Sequence, residues 1–336
     1  MFNDVFKPDM FTTTSLTAAI IKQPFQPGLL DALGIFSVSG MPTTSAAIEV
    51  MNGTLSLVPN SKRGAPGSTA AQDKRNGIQV AAAHLQRNDR LLADEVMGVR
   101  QFGTDSQLLT VEAKRDEKLA KMRRDLEFTL EYHRLGAIQG IVLDSDGTTT
   151  ILNTFTAFGI TQPTEVDFDL SNATPASGAL EASCIGIRQS MDAALGGVPY
   201  TGITALCGDT FWTKFKQHPE FRASYQYTDA GPIREGLGNR SFYWGGINWV
   251  NYRGYGSVAI GATKAKFVAE GVPDLFLERY APADYIDAVN SDGLEMYASA
   301  EPLPHNKGMS LEAQTNPLMI CTRPEALLRA KATSAG

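Results

Sequence analysis

Apolar residues recur at every third or fourth position along residues 105–135, a long stretch without glycine or proline. The members of this stripe are Leu108, Val111, Leu119, Met122, Leu126 and Leu130. Lysine, arginine and glutamate fill most of the other positions, so the pattern predicts one long helix that buries a single face. At 1.5 Å per residue the helix is about 45 Å long. We expect Asp105 or Ser106 to cap its start and Gly136 to end it.

A different period, with apolar residues at alternate positions, appears on either side of a polar segment. Residues 47–59 and 77–85 alternate in this way and predict two β-strands. The intervening residues are rich in Gly, Pro and Ser and carry four basic side chains, namely Lys62, Arg63, Lys74 and Arg75. The pattern predicts a long hairpin with a basic tip. Because an isolated two-stranded ribbon is marginal in water, we expect the hairpin to lie on a partner, although a merely solvated tip explains the charges equally well.

Short elements fill the rest of the chain. Ser15–Lys22 and Pro27–Leu33 predict two short helices in an arm outside the core. Residues 178–195 predict a helix with Leu180, Cys184, Ile187, Met191 and Leu195 on its buried face. A strand over 201–207 and a helix over 209–217 follow, and the aromatic, glycine-rich residues 242–267 predict antiparallel strands joined by tight turns. Residues 308–322 predict a strand, irregular at Asn316 and Pro317, that returns to the hairpin beside the long helix. We expect residues 137–158 and 307–323 to form the sheet on which the apolar stripe of that helix rests. The fold class is α+β.

Charge and composition exclude several classes of protein. The net charge of −6 argues against a protein that neutralises nucleic-acid phosphates. The first 24 residues have neither the basic leader of a signal peptide nor the length of apolar sequence that spans a membrane, so we expect a protein that starts in the cytoplasm. Three widely spaced cysteines, Cys184, Cys207 and Cys321, predict reduced, buried thiols.

One segment suggests enzymatic chemistry. Residues 141–148 form an apolar strand followed by Asp-x-Asp-Gly-Thr, which resembles the first motif of haloacid-dehalogenase-type phosphatases. The resemblance implies a Mg²⁺-dependent phosphohydrolase with Asp144 as nucleophile and Asp146 as acid/base. The later motifs of that family are not apparent, and Asp146-Gly147 also predicts a hairpin turn, which we favour. The four histidines stand singly without metal-ligand spacing. We therefore expect no catalytic centre, no metal and no cofactor.

Seven segments in order give the chain a wider resemblance. They are residues 15–36, 48–59, 93–103, 204–222 (TALCGDTFW and HPEFR), 242–254, 280–298 and 307–330. Together they resemble the major capsid proteins of tailed phages, and specifically the lambda-like capsid protein E family. The resemblance implies an HK-97-like (Hong Kong 97-type) shell fold and a structural protein that is not an enzyme.

The resemblance also implies a domain organisation. Residues 1–44 form the N-terminal arm, 45–90 the extended β-hairpin loop, 91–165 with 279–336 the peripheral domain containing the spine helix 105–135, and 166–278 the axial domain. Subunits of this family form pentamers and hexamers that close into an icosahedral shell around double-stranded phage DNA. The implied partners are the chain itself, a portal, a scaffold and a decoration protein, with packaged DNA held only loosely and no membrane. The implied location is the virion capsid, assembled in the host bacterial cytoplasm.

Overall fold

A computed structural model describes residues 11–22, 28–51, 75–96, 111–172, 174–226, 241–254 and 256–332. The chain divides into two compact units. Unit 1 contains residues 1–46, 80–134 and 277–319, and unit 2 contains residues 47–79, 135–276 and 320–336. These bounds differ from the predicted domains, since residues 320–336 group with 135–276 and not with 91–134.

Helices and strands alternate irregularly along the described residues, as expected for an α+β fold. The helices are α1 (Thr13–Lys22), α2 (Leu29–Ala32), α3 (Val111–Gln139), α4 (Thr154–Phe158), α5 (Ala179–Leu195), α6 (Asp209–Gln217) and α7 (Pro219–Gln226). The first eight strands are β1 (Phe36–Gly40), β2 (Ser45–Met51), β3 (Arg75–Ala81), β4 (Leu85–Leu92), β5 (Ile141–Leu143), β6 (Thr150–Asn153), β7 (Val166–Asp167) and β8 (Gly202–Cys207). The others are β9 (Ser241–Trp244), β10 (Ile247–Asn251), β11 (Lys264–Glu270), β12 (Phe276–Tyr280), β13 (Tyr297–Pro302), β14 (Gly308–Thr315), β15 (Pro317–Cys321) and β16 (Arg329–Lys331).

The long helix α3 confirms the predicted apolar stripe. Val111, Leu119, Met122, Leu126 and Leu130 are all buried. The predicted caps Asp105 and Ser106, and Leu108 of the stripe, lie outside the described residues. The expectation that only one face is buried is wrong, because several charged residues of α3 are buried as well.

The predicted helix end at Gly136 is also wrong. The helix continues to Gln139, and Gly140 at φ +82° is the left-handed residue that follows it. Gly136 instead permits a close approach of the returning chain. A Cβ atom at this position would lie 2.9 Å from both the carbonyl oxygen of Ile141 and the Cα atom of Val142. Gly136 therefore allows the returning chain to pack closely on the helix and does not end the helix.

Two three-stranded sheets and the N-terminal helices build unit 1. One sheet has the order β13-β14-β4 and another the order β1-β12-β15. Strand β14 pairs with β4 along its whole length, from Gly308 opposite Leu92 to Thr315 opposite Leu85, and with β13 on its other side. The predicted pairing with the hairpin of residues 137–158 is wrong, because among the described strands β5 and β6 pair only with each other. Helix α1 packs on β13, where Thr17 Oγ1 donates to the Ala298 carbonyl at 3.3 Å.

The two predicted helices near the N-terminus are confirmed, but their predicted position outside the core is wrong. Leu16, Ile20 and Leu30 are fully buried. The short apolar runs of the arm therefore contribute to the core of unit 1, because a ten-residue helix such as α1 gains its stability from an apolar face packed on other elements.

A six-stranded sheet with the order β7-β16-β11-β8-β10-β9 organises unit 2. Aromatic side chains pack tightly beside it. The Phe215 and Trp249 ring centroids lie 4.3 Å apart, and Phe168 meets Trp249 edge to face at 5.9 Å. Phe211, Phe215, Trp249 and Phe267 are all buried. Such ring pairs add a geometric preference to apolar burial.

The remaining predictions for unit 2 are mostly confirmed. All five predicted residues of α5 are buried, from Leu180 to Leu195. Strands β9 and β10 form the expected antiparallel hairpin through Gly245 and Gly246. The prediction was incomplete at β11, which pairs with β8 and β16, while β10 pairs with β8 in parallel. A parallel neighbour distant in sequence leaves no local turn signal.

Candidate functional site

The base of the predicted extended hairpin is formed by β2 and β3, which pair as a two-stranded sheet. Ile48 and Val80 are buried, as the alternating pattern predicted. Below the strands, the Ala82 amide donates to the Thr44 carbonyl at 3.0 Å and the Ala83 amide donates to the Pro317 carbonyl at 2.9 Å. The hairpin is therefore fixed at its base by backbone hydrogen bonds.

The four basic residues predicted at the hairpin tip fall largely outside the described residues. Lys62, Arg63 and Lys74 are not among them, and Arg75 is described only as the first residue of β3. Their role in subunit contact stays a prediction.

Four charged residues of α3 form a second, buried face of this helix. Arg123, Glu127, Glu131 and Arg134, named here the charged face, are each less than a tenth exposed. Arg123 bonds to Glu127 at 2.5 Å and also donates to the carbonyls of Ile20 and Ile21, at 2.8 and 2.6 Å. These carbonyls belong to the last turn of α1, where helical partners run out and a cation is favourable.

The charged face also contacts the start of α2. The Leu30 amide donates to Glu131 Oε1 at 3.1 Å, so a carboxylate accepts from the first turn of this helix, where negative charge is favoured. The side chain of Glu131 lies so close to Gly28 that a Cβ atom there would approach Oε2 to 2.2 Å. A glycine at the entry to α2 therefore makes room for the carboxylate.

Arg134 completes the charged face with a buried ion pair. Its guanidinium donates two hydrogen bonds to the carboxylate of Glu278, at 2.9 and 2.8 Å, and lies 3.2 Å from Asp31. Glu278 is fully buried and also accepts from the Tyr280 hydroxyl. Although burial opposes the charge, these partners raise the pKa of Arg134 further above its already high value. Nearby, burial raises the pKa of Glu295.

Sequence reasoning missed the charged face because it assigned charged residues to solvent. A signal of a shared face was present, since Arg123, Glu127, Glu131 and Arg134 follow one another at spacings of three and four residues. The spacing shows that the four residues share one face of the helix, but charged residues at this spacing are typical of a solvent-exposed face, so the burial was not indicated.

An open apolar groove lies on unit 1 between α1 and residues 285–297. It has a volume of about 410 Å³, and Thr17, Ala18 and Ile21 line one wall while Tyr285, Leu294 and Tyr297 line the other. Ile286 beside it is 92% exposed and Val289 is 66% exposed. Clustered apolar side chains at this exposure are typical of a contact surface.

A row of basic residues crosses two neighbouring strands of unit 2. Lys264 and Lys266 of β11 lie opposite Lys331 and Arg329 of β16. Lys264 bonds to Glu165 at 2.5 Å, and Arg329 donates to the Pro163 carbonyl at 3.0 Å. Lys266 makes no hydrogen bond or ion pair within the described part of the chain. Burial, aided by Arg329, lowers the pKa of Lys266 to about 8.

The segment that resembles the phosphatase motif is a hairpin turn. Strands β5 and β6 pair in antiparallel fashion on either side of it. Asp146 accepts from the amides of Thr148 and Thr149, each at 2.8 Å, and from the Thr149 hydroxyl at 2.6 Å. These bonds lower the pKa of the exposed Asp146 carboxyl. The two aspartates thus stabilise a tight turn, as the Asp-Gly signal predicted.

Other candidate residues also have structural roles. Cys184, Cys207 and Cys321 are free and buried, and burial raises the pKa of each thiol, to about 12 for Cys184. His84 Nδ1 lies 2.7 Å from Asn316 Oδ1, at the predicted irregularity between β14 and β15. Across the described ranges, no cluster of His, Cys, Asp or Glu has the geometry to hold a metal ion. None of the helices described here is long and apolar enough to cross a membrane.

Solved structures with similar folds are virus-shell proteins. The putative capsid protein of a prophage of E. coli CFT073 covers 96% of this chain, and the chain covers 99% of it, at a TM-score of 0.59 and 14% identity. The capsid of Myoviridae phage XM1 matches at a TM-score of 0.52 and 11% identity over 92% of this chain and 94% of that one. The fold is therefore the α+β, HK-97-like fold of capsid proteins.

Sequence comparison gives the family. Residues 12–332 match the model of phage major capsid protein E, and the chain belongs to this family. The major capsid protein of Pseudomonas phage KPP10 is 27% identical over 96% of this chain and 97% of its own length. That of Salmonella phage Felix O1 is 25% identical over 97% of both chains. The chain is a structural shell protein and not an enzyme, and the phosphohydrolase alternative with Asp144 and Asp146 is not supported.

Proposed function

We propose that this chain is the major subunit of an icosahedral phage capsid, in which pentamers and hexamers enclose double-stranded DNA. The observation that carries the proposal is the capsid family match over residues 12–332. The net charge of −6 agrees with a shell that surrounds its genome without binding it tightly. Assembly takes place in the host bacterial cytoplasm, and a portal, a scaffold and a decoration protein are the further partners.

The predicted domains belong to this proposal. Residues 1–44 act as the arm, 45–90 as the extended loop, 91–165 with 279–336 as the peripheral domain and 166–278 as the axial domain. The paired strands β2 and β3 support a projecting loop, because they leave 23 residues between Met51 and Arg75. The basic residues Lys62, Arg63, Lys74 and Arg75 contact a neighbouring subunit.

Expression of the chain in bacteria, alone and with its scaffold partner, tests the main proposal. Electron microscopy and light scattering should detect rings or shells of many copies. A stable monomer at high concentration with the scaffold present contradicts it.

Replacement of the four loop residues by alanine tests their role separately. We expect a folded subunit that assembles poorly, because the substitutions remove charges that contact a neighbour and remove no apolar side chain. A matched control replaces exposed basic residues elsewhere, such as Lys22 and Lys307, by alanine. Normal shells from the loop variant contradict the contact role. If the loop binds DNA instead, the variant loses a salt-dependent DNA affinity.

A further inference from the structure

The groove of unit 1 has the chemistry of a docking surface. Four large apolar residues around it are strongly exposed, namely Ile21, Ile286, Val289 and Leu294. Two exposed carboxylates, Asp287 and Asp292, line the groove. Neither carboxylate forms an ion pair or hydrogen bond with any described residue. A partner that fits must therefore bring apolar surface together with positive charge.

A surface of that description lies on α3 of the same unit. Lys121, Arg124 and Phe128, named here the basic stripe, are spaced three and four residues apart and so share one face of the helix. All three are exposed, Phe128 to 45%. Lys121 and Arg124 pair with no carboxylate in the described part of the chain. The neighbouring Glu117 is already paired with Lys114 at 2.9 Å.

The groove and the basic stripe are complementary in apolar surface and in charge. The stripe offers an aromatic ring with two cations N-terminal to it on the same face of the helix, and the groove offers apolar walls with two carboxylates among its lining residues. Of the residues described, none of the stripe lines the groove, so the two surfaces are separate. One copy can therefore offer its groove to one neighbour and its stripe to another. Contacts of this head-to-tail kind form rings when the rotation between copies closes, and open filaments when it does not.

We propose that the groove of one copy receives the basic stripe of a second copy, with Phe128 against the apolar wall and Lys121 and Arg124 beside Asp287 and Asp292. This inference rests on the proposed shell function, for which it names one contact between subunits. The ring supplies apolar burial, and the charges fix the register and exclude wrong partners.

Charge reversal tests the contact. We expect Asp287→Lys with Asp292→Lys, and separately Lys121→Glu with Arg124→Glu, each to lower the yield of assembled particles at least about tenfold, since like charges then face each other. The chain carrying all four substitutions restores opposite charges and should recover to within about threefold of wild type. The matched control, Asp94→Lys with Glu301→Lys, reverses two exposed acidic residues of unit 1 away from the groove and should assemble normally.

Circular dichroism and thermal melting confirm that each variant is folded. Normal assembly of the groove variant overturns the proposal. A fourfold variant that assembles no better than the two double variants overturns it as well.

A second measurement separates this contact from the shell function itself. Wild-type copies with natural and heavy nitrogen are mixed and treated with a carbodiimide, which joins an adjacent lysine and carboxylate. A mixed-isotope link from Lys121 to Asp287 or Asp292 is expected. Shells without this link refute the contact and leave the shell function intact. The link in small oligomers that never form shells supports the contact and refutes the shell function.

Discussion

The two units are stabilised by different chemistry. Unit 1 joins distant segments through the charged face of α3, where Arg134 holds Glu278 by two hydrogen bonds in a buried site. Unit 2 joins its elements through closely packed rings such as Phe215 and Trp249. Ion pairs require one geometry and particular partners, whereas apolar packing accepts many residues of similar volume. We therefore expect unit 1 to be the less tolerant of conservative substitution.

Removal of Arg134 should have the largest effect. Arg134→Met leaves the fully buried Glu278 without its cation, and breaking a buried ion pair in this way costs about 3–5 kcal/mol of unfolding free energy. Urea titration of the unassembled subunit, followed by circular dichroism, measures the loss. Arg124→Met is the matched control, because Arg124 is exposed on the same helix and its replacement should change stability by less than about 0.5 kcal/mol.

If Arg134→Met and Arg124→Met lose equal unfolding free energy, the buried pair of Arg134 and Glu278 has no special role. If Arg134→Met with Glu278→Leu is far less destabilised than Arg134→Met alone, the cost is that of the orphaned carboxylate.

The contrast between local and long-range contacts also explains which features could be predicted from the sequence. The apolar stripe of α5 was correct at Leu180, Cys184, Ile187, Met191 and Leu195 because periodic burial is written locally. The role of Glu131 was not predictable in this way, because its partner, the Leu30 amide, lies 101 residues away. The end of α3 was misplaced for a similar reason. Gly136 has the identity of a helix stop, but its function depends on the later approach of Ile141.

The two candidate contact surfaces, the basic loop and the groove, also differ in whether the sequence could reveal them. The basic residues of the loop were visible in the sequence as a cluster, whereas the groove was not. The groove combines Ile21 of α1 with Tyr285 and Leu294 from a segment more than 260 residues further along the chain. Only the folded backbone brings these residues together.

Conservative substitutions should cause losses of unfolding free energy of intermediate size, and these losses test the difference between the two units. Arg134→Lys keeps the charge but loses the bidentate geometry, and we expect a loss of roughly 2–3 kcal/mol. Met191→Leu exchanges one buried apolar residue of unit 2 for another of similar volume and should cost less than about 1.5 kcal/mol. Urea midpoints at constant slope give both values. A larger loss in the Met191 variant breaks the proposed difference between the units.

The last predicted effect has the opposite sign and concerns Lys266. Its pKa is about 8 in the folded chain against 10.5 for the ordinary side chain. Below pH 8 both states are protonated and the cost of the buried charge is complete. Between pH 8 and pH 10.5 the unfolded chain binds more protons, so wild-type stability should rise with pH across this window. Lys266→Met should therefore stabilise the protein by about 1–3 kcal/mol at pH 7, and the gain should fade towards pH 10.5.

Lys264→Met provides the control for that measurement. Lys264 lies on the same strand but is paired with Glu165, so its replacement should give no gain at pH 7. Urea titrations at pH 7 and pH 10.5 compare the two variants. A gain for Lys266→Met that does not depend on pH shows that the buried charge is not its cause.

The charged face of α3 also determines when the arm of a newly made chain can fold. The arm leaves the ribosome first, but α1 and α2 have only ten and four residues and such short helices are marginal alone. Their partners on α3 follow about a hundred residues later, and Glu278 follows Arg134 by a further 144. At 5–20 residues per second the arm waits roughly 10–50 s for the complete set. We therefore expect the arm to become ordered only after residues 123–134, and later residue 278, have been made.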